Sequence, residues 1–343
     1  MGKLTIKLVG MLAIVMLAGC GESSPKRNGG KNGMYHWKTT FDPTPYEREF
    51  LKKHDVERLF IKFFDVDVDN EYSDDSRPVP VATTRFVQQP DSTMEVVPVV
   101  FITVPAISKM AADSAVMARK LVDRIEAMCL ANGIKNVKEV QLDCDWTQTT
   151  RNAYYTLCRE VGMLLHERKL RLSSTIRLHQ LRQAPPPVDR GTLMLYNTGS
   201  LGDFQSENAI LTAKDVEPYL KGTDYKLPLD FAYPDYSWTV VYDGDRNYFR
   251  KLLPQRVKAN DSTLVEGDGH WLRATKDFYL GEEPIDSGSY LRLDESHPKE
   301  ILRAKELVGR KLASDEPYTI IIYHLDSTNL SHFSHAEINR IYR

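Results

Sequence analysis

The stretch VQLDCDWT, residues 140–147, decides the fold class that the sequence predicts. It is a short apolar run that ends in two carboxylates, Asp143 and Asp145, which are two residues apart. Because side chains alternate along a strand, these carboxylates share one face with Gln141, and the apolar residues share the other. An acidic face at the end of a buried strand is typical of a (β/α) barrel, whose strand ends bind its ligand. The alternative is an acidic pair that caps the following helix.

Segments typical of strands and of helices alternate on both sides of this stretch. The predicted strands are residues 35–41, 58–67, 96–104, 137–146, 170–178, 191–196, 227–233 and 318–324. Helical spacing of apolar residues predicts helices between them, as in residues 114–132 and 298–312. The sequence therefore predicts an α/β fold, a single (β/α)8 TIM-like barrel over residues 34–343. An open doubly wound sheet is the alternative, but no G-x-G-x-x-G follows the first strand.

Residues 235–288 are less regular than the rest of the chain and precede the last predicted strand. Their aromatic residues include Trp238, Tyr242, Tyr248, Trp271 and Tyr279. A segment of this length without a clear strand or helix pattern is uncommon inside a compact domain unless it has a role of its own. We therefore predict a long insertion, with aromatic content, before the last strand of the barrel.

The first 33 residues differ in composition from the rest. Lys3 and Lys7 precede an apolar run, residues 8–18, that is too short to span a bilayer, and this pattern predicts a signal peptide over residues 1–19. The run ends in LAGC, residues 17–20, which resembles the lipobox of bacterial lipoproteins. The resemblance implies lipid attachment at Cys20 and anchoring to a lipid bilayer of the bacterial cell envelope, at the outer membrane or cell surface. Residues 20–33 should form a flexible tether, since residues 21–33 contain no apolar side chain.

The composition excludes several classes of function. With 343 residues, 42% of them hydrophobic, and a formal net charge of −2, the chain can bury a large core and has no general attraction to nucleic acid. No histidine pair has the spacing of a zinc site, so we expect no metal, and no motif indicates a cofactor. Three cysteines follow Cys20, namely Cys129, Cys144 and Cys158, and their odd number predicts at least one free thiol. We expect them to be small buried hydrophobes around the fourth strand, with a single disulfide as the alternative. We expect a monomer.

Residues 140–147 resemble the D-x-x-D-x-D-x-E signature of family 18 glycoside hydrolases, which include chitinases and endo-β-N-acetylglucosaminidases. Asp143 and Asp145 fall on the second and third acidic positions of that signature. Val140 stands in place of the first Asp, and Thr147 stands in place of the catalytic Glu. The resemblance implies that Asp143 and Asp145 are the catalytic residues that remain.

Other segments resemble further strands of the same family. LMLYNTG, residues 193–199, is similar to the sixth strand, with Asn197 in place of an Asp that lines the sugar site. LPLDFAYPDY, residues 227–236, is similar to the seventh strand, and YHWK, residues 35–38, to a first strand that bears an aromatic residue. Aromatic residues also cluster at the predicted strand ends, where they suit stacking of a sugar ring. The residues expected to bind substrate are Trp37, Trp146, Tyr196, Asn197, Tyr233 and Asp235.

The mechanism of this family sets the roles that the resemblance implies. The acetamido oxygen of the substrate is the nucleophile, so the protein supplies one acid and one carboxylate that orients the acetamide. The orienting role falls to Asp145, with Asp143 holding it in the right protonation state. Thr147 cannot be the acid because its hydroxyl has no pKa near neutrality, so Asp65 or Asp235 would have to supply the proton.

Two hypotheses about function follow from these residues. In the first, the chain is a glycoside hydrolase that acts on an N-acetylated or related glycan, with an acid drawn from another strand. In the second, it is an inactive barrel that binds glycan. The retained acidic pair and Tyr196 favour the first hypothesis, and Thr147 favours the second. A carboxyl about 5 to 9 Å from Asp145 across an open cleft would distinguish them.

Overall fold

The structure is a computed structural model that describes residues 30–70, 75–246, 248–257, 264–266, 270–314 and 316–343. The predicted signal peptide, the predicted lipid attachment at Cys20 and most of the predicted tether lie outside the described residues. Within the described ranges, every helix is too short or too polar to cross a membrane.

A closed barrel of eight parallel strands, counted within the described residues, forms the centre of the fold. The strands are β1 (Asn32–His36), β2 (Val56–Val68), β3 (Glu95–Ile102), β4 (Glu139–Cys144), β5 (Arg171–Ile176), β6 (Arg190–Met194), β7 (Leu229–Pro234) and β8 (Ile320–Tyr323). Each strand pairs with the next, and β8 also pairs with β1, which closes the barrel. The predicted TIM-like (β/α)8 barrel is confirmed. The carboxyl-terminal strand ends form its mouth, and the amino-terminal strand ends form its bottom.

Helices cover the outside of the barrel. They are α1 (Pro45–Lys53), α2 (Val104–Met110), α3 (Ser114–Ala131), α4 (Arg151–Glu167), α5 (Ala213–Leu220), α6 (Pro298–Leu312), α7 (Ser327–Leu330) and α8 (His335–Tyr342). In α4 the residues at helical spacing, among them Tyr154, Val161 and Leu165, form a buried stripe. This stripe packs in the same core as Cys144, on the outward face of β4. The strand and helix periods of the sequence therefore build the two layers of the fold.

The first strand begins earlier than predicted. Asn32 and Gly33, which the composition assigns to the flexible tether, are the first residues of β1, so the predicted boundary is wrong. Packing requires glycine here, because a Cβ at Gly33 would lie 2.9 Å from Cγ2 of Thr319. The predicted strand also runs too far, since Thr40–Phe41 is a separate short strand paired with Arg85–Phe86. Composition alone does not distinguish a glycine of a mobile segment from one that a close neighbour requires.

The segment between β7 and α6 carries the predicted insertion. In the described part of this segment an antiparallel sheet forms, in the strand order Phe249–Leu253, Ser237–Tyr242, Tyr290–Glu295, Leu272–Ala274 and Leu264–Glu266. The sheet holds the loop that follows β6. The ring of Phe204 stacks on Trp271 with centroids 4.3 Å apart, and Asp294 accepts a hydrogen bond from the Ala209 backbone N–H at 3.0 Å. The insertion therefore supports one wall of the barrel mouth.

The barrel interior is layered from bottom to mouth. At the bottom, Arg58 forms ion pairs with three buried carboxylates, those of Glu95, Glu139 and Asp230. Apolar and aromatic side chains fill the middle: Tyr35, Phe60, Val97, Val99, Met194, Ala232 and Ile321. Polar and aromatic side chains lie above this layer. Since ion pairs and packing fill the lower two layers, the mouth is where a ligand would enter.

The three cysteines of the described residues are free thiols, as predicted. Cys144 and Cys158 are buried in the apolar cluster between β4 and α4. Burial raises the pKa of Cys158 to about 12, because a thiolate would lose its hydration there. Cys129 is only half-buried. The expectation of small buried hydrophobes is therefore confirmed for two of the three cysteines.

Candidate functional site

The adjacent strands β4 and β5 place matched polar pairs inside the barrel. Gln141 donates a hydrogen bond to the Ser173 hydroxyl at 3.3 Å. One step closer to the mouth, the Thr175 hydroxyl donates to Oδ1 of Asp143 at 2.6 Å. Asp143 is 1% exposed, and burial raises its pKa although Arg177 acts to lower it. Because side chains alternate along both strands, the next pair of this ladder lies at the mouth.

Arg177 and Asp145 form that next pair. The guanidinium donates through Nε to Oδ1 of Asp145 and through Nη2 to Oδ1 of Asp143 at 3.4 Å, so one cation bridges both predicted catalytic residues. Its Nη1 also contacts the sulfur of Met194. Burial disfavours the charge of Arg177, but the two carboxylates outweigh burial and raise its pKa above the ordinary value. The side chain of Asp145 is 53% exposed and that of Arg177 is 21% exposed, so the ion pair lies in an open site.

Sequence reasoning missed Arg177, although a signal was present. In LRLSSTIRL, residues 170–178, alternation puts Ser173, Thr175 and Arg177 on one face. The pairing of β4 with β5 sets Gln141 opposite Ser173, and the same register continued sets Asp145 opposite Arg177. The apolar residues of this segment predict the strand, whereas the alternation of its polar residues carries the signal for the site. Comparing the two faces would have found the cation.

A cavity of about 290 Å³ opens beside the ion pair, at the ends of β4, β5 and β6. Three of the predicted site residues line it, namely Asp145, Tyr196 and Asn197. The Tyr196 hydroxyl is buried and has no hydrogen-bond partner among the described residues. Asn197 accepts a hydrogen bond from the Tyr236 hydroxyl at 2.6 Å. A volume at the lower end of the usual range for ligand sites, about 300 to 1,000 Å³, suits one ring of a larger ligand.

Aromatic rings line the mouth at the ends of β1, β6 and β8. Tyr196 stacks on Tyr323 with ring centroids 4.8 Å apart, and Trp37 contacts Tyr323 at 5.7 Å. The Lys62 ammonium lies 5.7 Å from the centre of the Trp37 ring. Trp37 and Tyr196 thus lie at the mouth, and aromatic faces of this kind suit the apolar face of a sugar ring.

The mouth end of β2 supplies a second ion pair. Lys62 donates to Oδ2 of Asp65 at 3.0 Å. Oδ1 of Asp65 is buried, with no hydrogen-bond partner in the part of the chain that the structure describes. Burial raises the pKa of Asp65, although Lys62 acts to lower it, and the charge of Asp65 in turn acts on Asp143. Of the two acids that the sequence suggested, Asp65 is the one that the fold places at the mouth.

Thr147 takes part in the turn that begins α4. Its backbone N–H donates to the Thr150 hydroxyl at 2.9 Å, and its own hydroxyl lies 2.8 Å from the Thr149 hydroxyl. Its carbonyl accepts a hydrogen bond from the N–H of Arg151, the first residue of α4, at 2.9 Å. The position that holds the catalytic Glu in the resembling family is thus occupied here by a hydroxyl bound to the start of a helix. Such a hydroxyl cannot act as an acid near neutral pH.

Trp146 and Tyr233 do not reach the mouth, so the expectation that they bind substrate is wrong. Trp146 is buried against α4, where its ring stacks on that of Tyr154 with centroids 6.5 Å apart. Tyr233 is buried in the same outward-facing core. The reason is the two-residue period of a strand: Trp146 and Tyr233 each follow an inward residue, Asp145 and Ala232, and so face the helices.

Asp235 lies behind the mouth, in what we call the histidine cluster, with His36 and His324. Oδ1 of Asp235 accepts from the backbone N–H of His324 at 2.7 Å, and its Oδ2 is buried without a partner among the residues described. Burial raises the pKa of Asp235 well above its usual range and lowers the pKa of each histidine to about 4. The two roles expected of Asp235, as acid and as substrate-binding residue, are therefore wrong. In the described ranges no group of three His, Cys, Asp or Glu side chains is placed to hold a metal ion.

Enzymes of known structure share this fold. The spore cortex-lytic enzyme SleL of Bacillus megaterium is 12% identical, with a TM-score of 0.56 over 93% of this chain and 76% of that one. SleL of Bacillus cereus is 14% identical, with a TM-score of 0.53 over 91% of this chain and 73% of that one. A chitinase of Chromobacterium violaceum is 11% identical, with a TM-score of 0.53 over 90% of this chain and 98% of that one.

At these identities the likeness concerns the fold. No model of a protein family matches the sequence, and no curated protein matches it. The chain has the closed parallel barrel that the chitinase and the spore cortex-lytic enzymes also have. The resemblance to family 18 glycoside hydrolases, first seen in residues 140–147, is therefore confirmed at the level of the fold.

Proposed function

We propose that this protein binds a glycan at the barrel mouth without hydrolysing it, and that a lipid on Cys20 holds it at the bacterial cell envelope. The observation that carries the proposal is the bridge from Arg177 to Asp143 and Asp145. The chitinase and the spore cortex-lytic enzymes of the same fold support a glycan, N-acetylated or related, as the ligand.

The arginine bridge opposes hydrolysis. A carboxylate that orients an acetamide has to meet the substrate, but Oδ1 of Asp145 already accepts a hydrogen bond from Arg177. The guanidinium also acts against protonation of Asp143, although burial, the larger effect, raises the pKa of that carboxyl. At Thr147 a hydroxyl replaces the carboxylic acid that protonates the leaving group in the family's mechanism. Of the two groups that this mechanism needs, the acid is thus absent at position 147, and the orienting carboxylate of Asp145 shares an oxygen with Arg177.

The same mouth retains what binding requires. Trp37 and Tyr323 are only partly buried at the mouth, so their rings can contact the apolar face of a sugar. Asn197 lines the cavity and can bond to hydroxyls of a sugar, whereas the hydroxyl of Tyr196 is buried in the cavity wall. Apolar faces combined with a few placed polar groups are typical of small-molecule sites.

Calorimetric titration with chitooligosaccharides, followed by mass spectrometry of the sugar, tests the proposal. We expect wild type to bind the sugar and to return it uncleaved. The variant that carries both Thr147→Glu and Arg177→Met regains an acid and frees Asp145, so it should release shorter sugars at a measurable rate. The matched control carries Thr147→Gln with Arg177→Met, which has the same shape but no acid, and should release none. Cleavage by wild type, or absence of binding, would contradict the proposal.

Hydrolysis with Asp65 as the acid is the second candidate, favoured by one observation. Asp65 has a buried carboxyl oxygen without a partner among the described residues, and burial raises its pKa, so it holds a proton to higher pH than an ordinary Asp. In that case wild type cleaves the oligosaccharide and Asp65→Asn does not. Asp69→Asn, at a surface ion pair with Arg77, is the matched control and should cleave like wild type.

Anchoring at Cys20 is tested separately from glycan binding. Palmitate labelling of cells that express the protein should mark the wild type and not Cys20→Ser, because the lipobox resemblance places the acylated thiol there. A wild-type protein that is unlabelled and soluble would contradict this part of the proposal. The expected monomer is checked by light scattering of a variant that begins at residue 30.

A further inference from the structure

The charged groups at the mouth are unequal in number. Among the described residues there, three carboxylates, from Asp65, Asp143 and Asp145, meet two cations, Lys62 and Arg177. Both cations are already paired: Lys62 lies 3.0 Å from Asp65, and Arg177 bonds to Asp143 and Asp145. An acidic sugar would therefore have to break one of these pairs to bind either of these two cations.

Acceptor atoms, in contrast, remain for a ligand to use. Asp145 lines the cavity with a side chain that is 53% exposed, so water or a ligand can reach its carboxylate beside the bond to Arg177. Oδ1 of Asp65 has no partner within the described residues either, but it is buried, so Asp145 is the acceptor that a ligand reaches. An ammonium group offers three donors and no acceptor, so it matches such carboxylate oxygens better than a neutral amide does.

The aromatic residues of the cavity and the mouth also favour a positively charged ligand. Tyr219 lines the cavity that Asp145 also lines, and its ring attracts a cation, since the Arg182 guanidinium lies 5.8 Å from the ring centre. A second contact of this kind joins the Lys62 ammonium and the Trp37 ring at 5.7 Å. A ligand cation in the cavity would repeat that contact next to an accessible carboxylate.

We propose that the mouth selects glycans with free amino groups, such as oligosaccharides of glucosamine, over their N-acetylated and acidic counterparts. This preference rests on the proposed glycan binding at the same site. Acetylation removes the positive charge and two of the three donors of the amine, so the N-acetylated sugar keeps only one neutral donor for Asp145. A uronic acid adds a negative charge next to a carboxylate that is already there.

Titration calorimetry with three oligosaccharides of equal length tests the preference. The probes are tetramers of glucosamine, N-acetylglucosamine and galacturonic acid, measured at pH 6, where most of the amines are charged. We expect the glucosamine tetramer to bind at least about tenfold more tightly than the N-acetylated one, the usual scale of one charge-assisted hydrogen bond. The galacturonate tetramer should bind most weakly. Raising the salt concentration from about 0.05 to 0.5 M should reduce the ratio, since ions screen an exposed carboxylate.

Two carboxylate variants separate a placed contact from general attraction. Asp145→Asn should bring the affinities of the glucosamine and N-acetylglucosamine tetramers close together. Asp224→Asn, at an exposed ion pair with Lys226 just before the amino-terminal end of β7, changes the net charge equally and should keep the wild-type ratio. Thermal melting shows that each variant is folded.

The outcomes distinguish this inference from the proposed function. Equal or tighter binding of the N-acetylated tetramer overturns the amino preference and leaves glycan binding intact. Tightest binding of the galacturonate tetramer overturns it as well, and would mean that Arg177 releases its carboxylates. If none of the three tetramers binds, the proposed function fails, and the preference fails with it.

Discussion

Two arginines inside the barrel bind carboxylates at opposite ends. Arg58 at the bottom is 3% exposed and contacts Glu95 and Glu139 at 2.9 Å each and Asp230 at 3.3 Å. Arg177 at the mouth contacts two carboxylates, is 21% exposed, and adjoins a cavity. The interactions are of one kind, but the bottom cluster is closed to solvent and the mouth cluster is open to it.

The comparison shows which cluster of charged residues stabilises the fold and which cluster can bind a ligand. A buried cluster with several partners for each charge is held by the fold and excludes other molecules. In a partly exposed cluster, water already screens the charges, so replacing one partner by a ligand costs little free energy. This agrees with the general division of such barrels, in which the bottom stabilises the fold and the mouth carries the function.

The largest expected effect is at the bottom. Arg58→Met leaves three carboxylates buried without their common cation, and we expect it to lower the free energy of unfolding by about 3 to 5 kcal/mol. Urea denaturation measures the change. Arg171→Met is the control, since that half-exposed guanidinium also contacts Glu139, at 3.2 Å. Its loss should lower the free energy of unfolding by less than about 1 kcal/mol. Similar losses in the two variants would show that burial does not set the strength of the bottom cluster.

Lowering the pH should destabilise the mouth end of the barrel before its bottom. Burial lowers the pKa of His36 and His324 from 6.5 to about 4, so the unfolded chain binds more protons than the folded protein between these values. Their contribution to stability is complete above pH 6.5 and falls as the pH drops toward 4, by about 3 kcal/mol for each histidine. Asp235 offsets part of this loss, because its pKa is raised and it takes up a proton in the folded state.

Hydrogen exchange with mass spectrometry at pH 7, 5.5 and 4.5 checks this prediction. Protection should fall first near the ends of β1 and β8, beside the charged groups that act on the histidines, which are Lys38, Glu47 and Asp326, and beside Asp235, which accepts from the His324 backbone. His36→Gln should reduce the loss between pH 6.5 and 4.5. Earlier loss of protection around Arg58 would reverse the comparison of the two ends.

Removing the arginine of the mouth should matter less for stability and more for binding. Arg177→Met deprives Asp143 of a charged hydrogen bond but leaves it the Thr175 hydroxyl, so we expect a loss of about 1.5 to 3 kcal/mol in unfolding free energy. The affinity for glycan should change at least about tenfold, since the freed Asp145 faces the cavity. A stability loss as large as that of Arg58→Met, with unchanged affinity, would assign Arg177 to the structure alone.

The smallest effect is expected at Thr147. Its hydrogen bonds with Thr149 and Thr150 resemble those of a helix cap. Thr147→Ala should therefore lower the free energy of unfolding by about 0.5 to 1 kcal/mol. Glycan affinity should stay within the error of the calorimeter, because the side chain is engaged at the start of α4. A clear loss of affinity would place Thr147 in contact with the ligand after all.

The sequence predicted the barrel well because two periods recur along the chain. Period-two and period-3.6 patterns place strands and helices wherever they are strong, as at α6, whose predicted bounds agree with the structure. Element ends were less predictable: Gly33 is fixed by the side chain of Thr319, more than 280 residues away. Such contacts leave no mark in the local pattern.

The candidate site was predictable only in part. Alternation in residues 140–147 correctly placed Asp143 and Asp145 together at the mouth, and the same rule applied strictly would have removed Trp146 and Tyr233 from the site. The prediction for Asp235 was wrong for a different reason. Its carboxylate accepts a hydrogen bond from the backbone N–H of His324, which follows the neighbouring strand β8, and this bond holds Asp235 behind the mouth.

The sequence by itself determined the layers of the fold and the acidic face of β4, because both depend on the spacing of residues within one strand or helix. Only the tertiary structure decided which charged groups pair with each other at the mouth. Arg177 lies 32 residues beyond Asp145, on the neighbouring strand, and its guanidinium reaches both carboxylates because barrel closure sets the register of β4 and β5. Pairing across strands is a property of the closed sheet, and a single strand does not contain it.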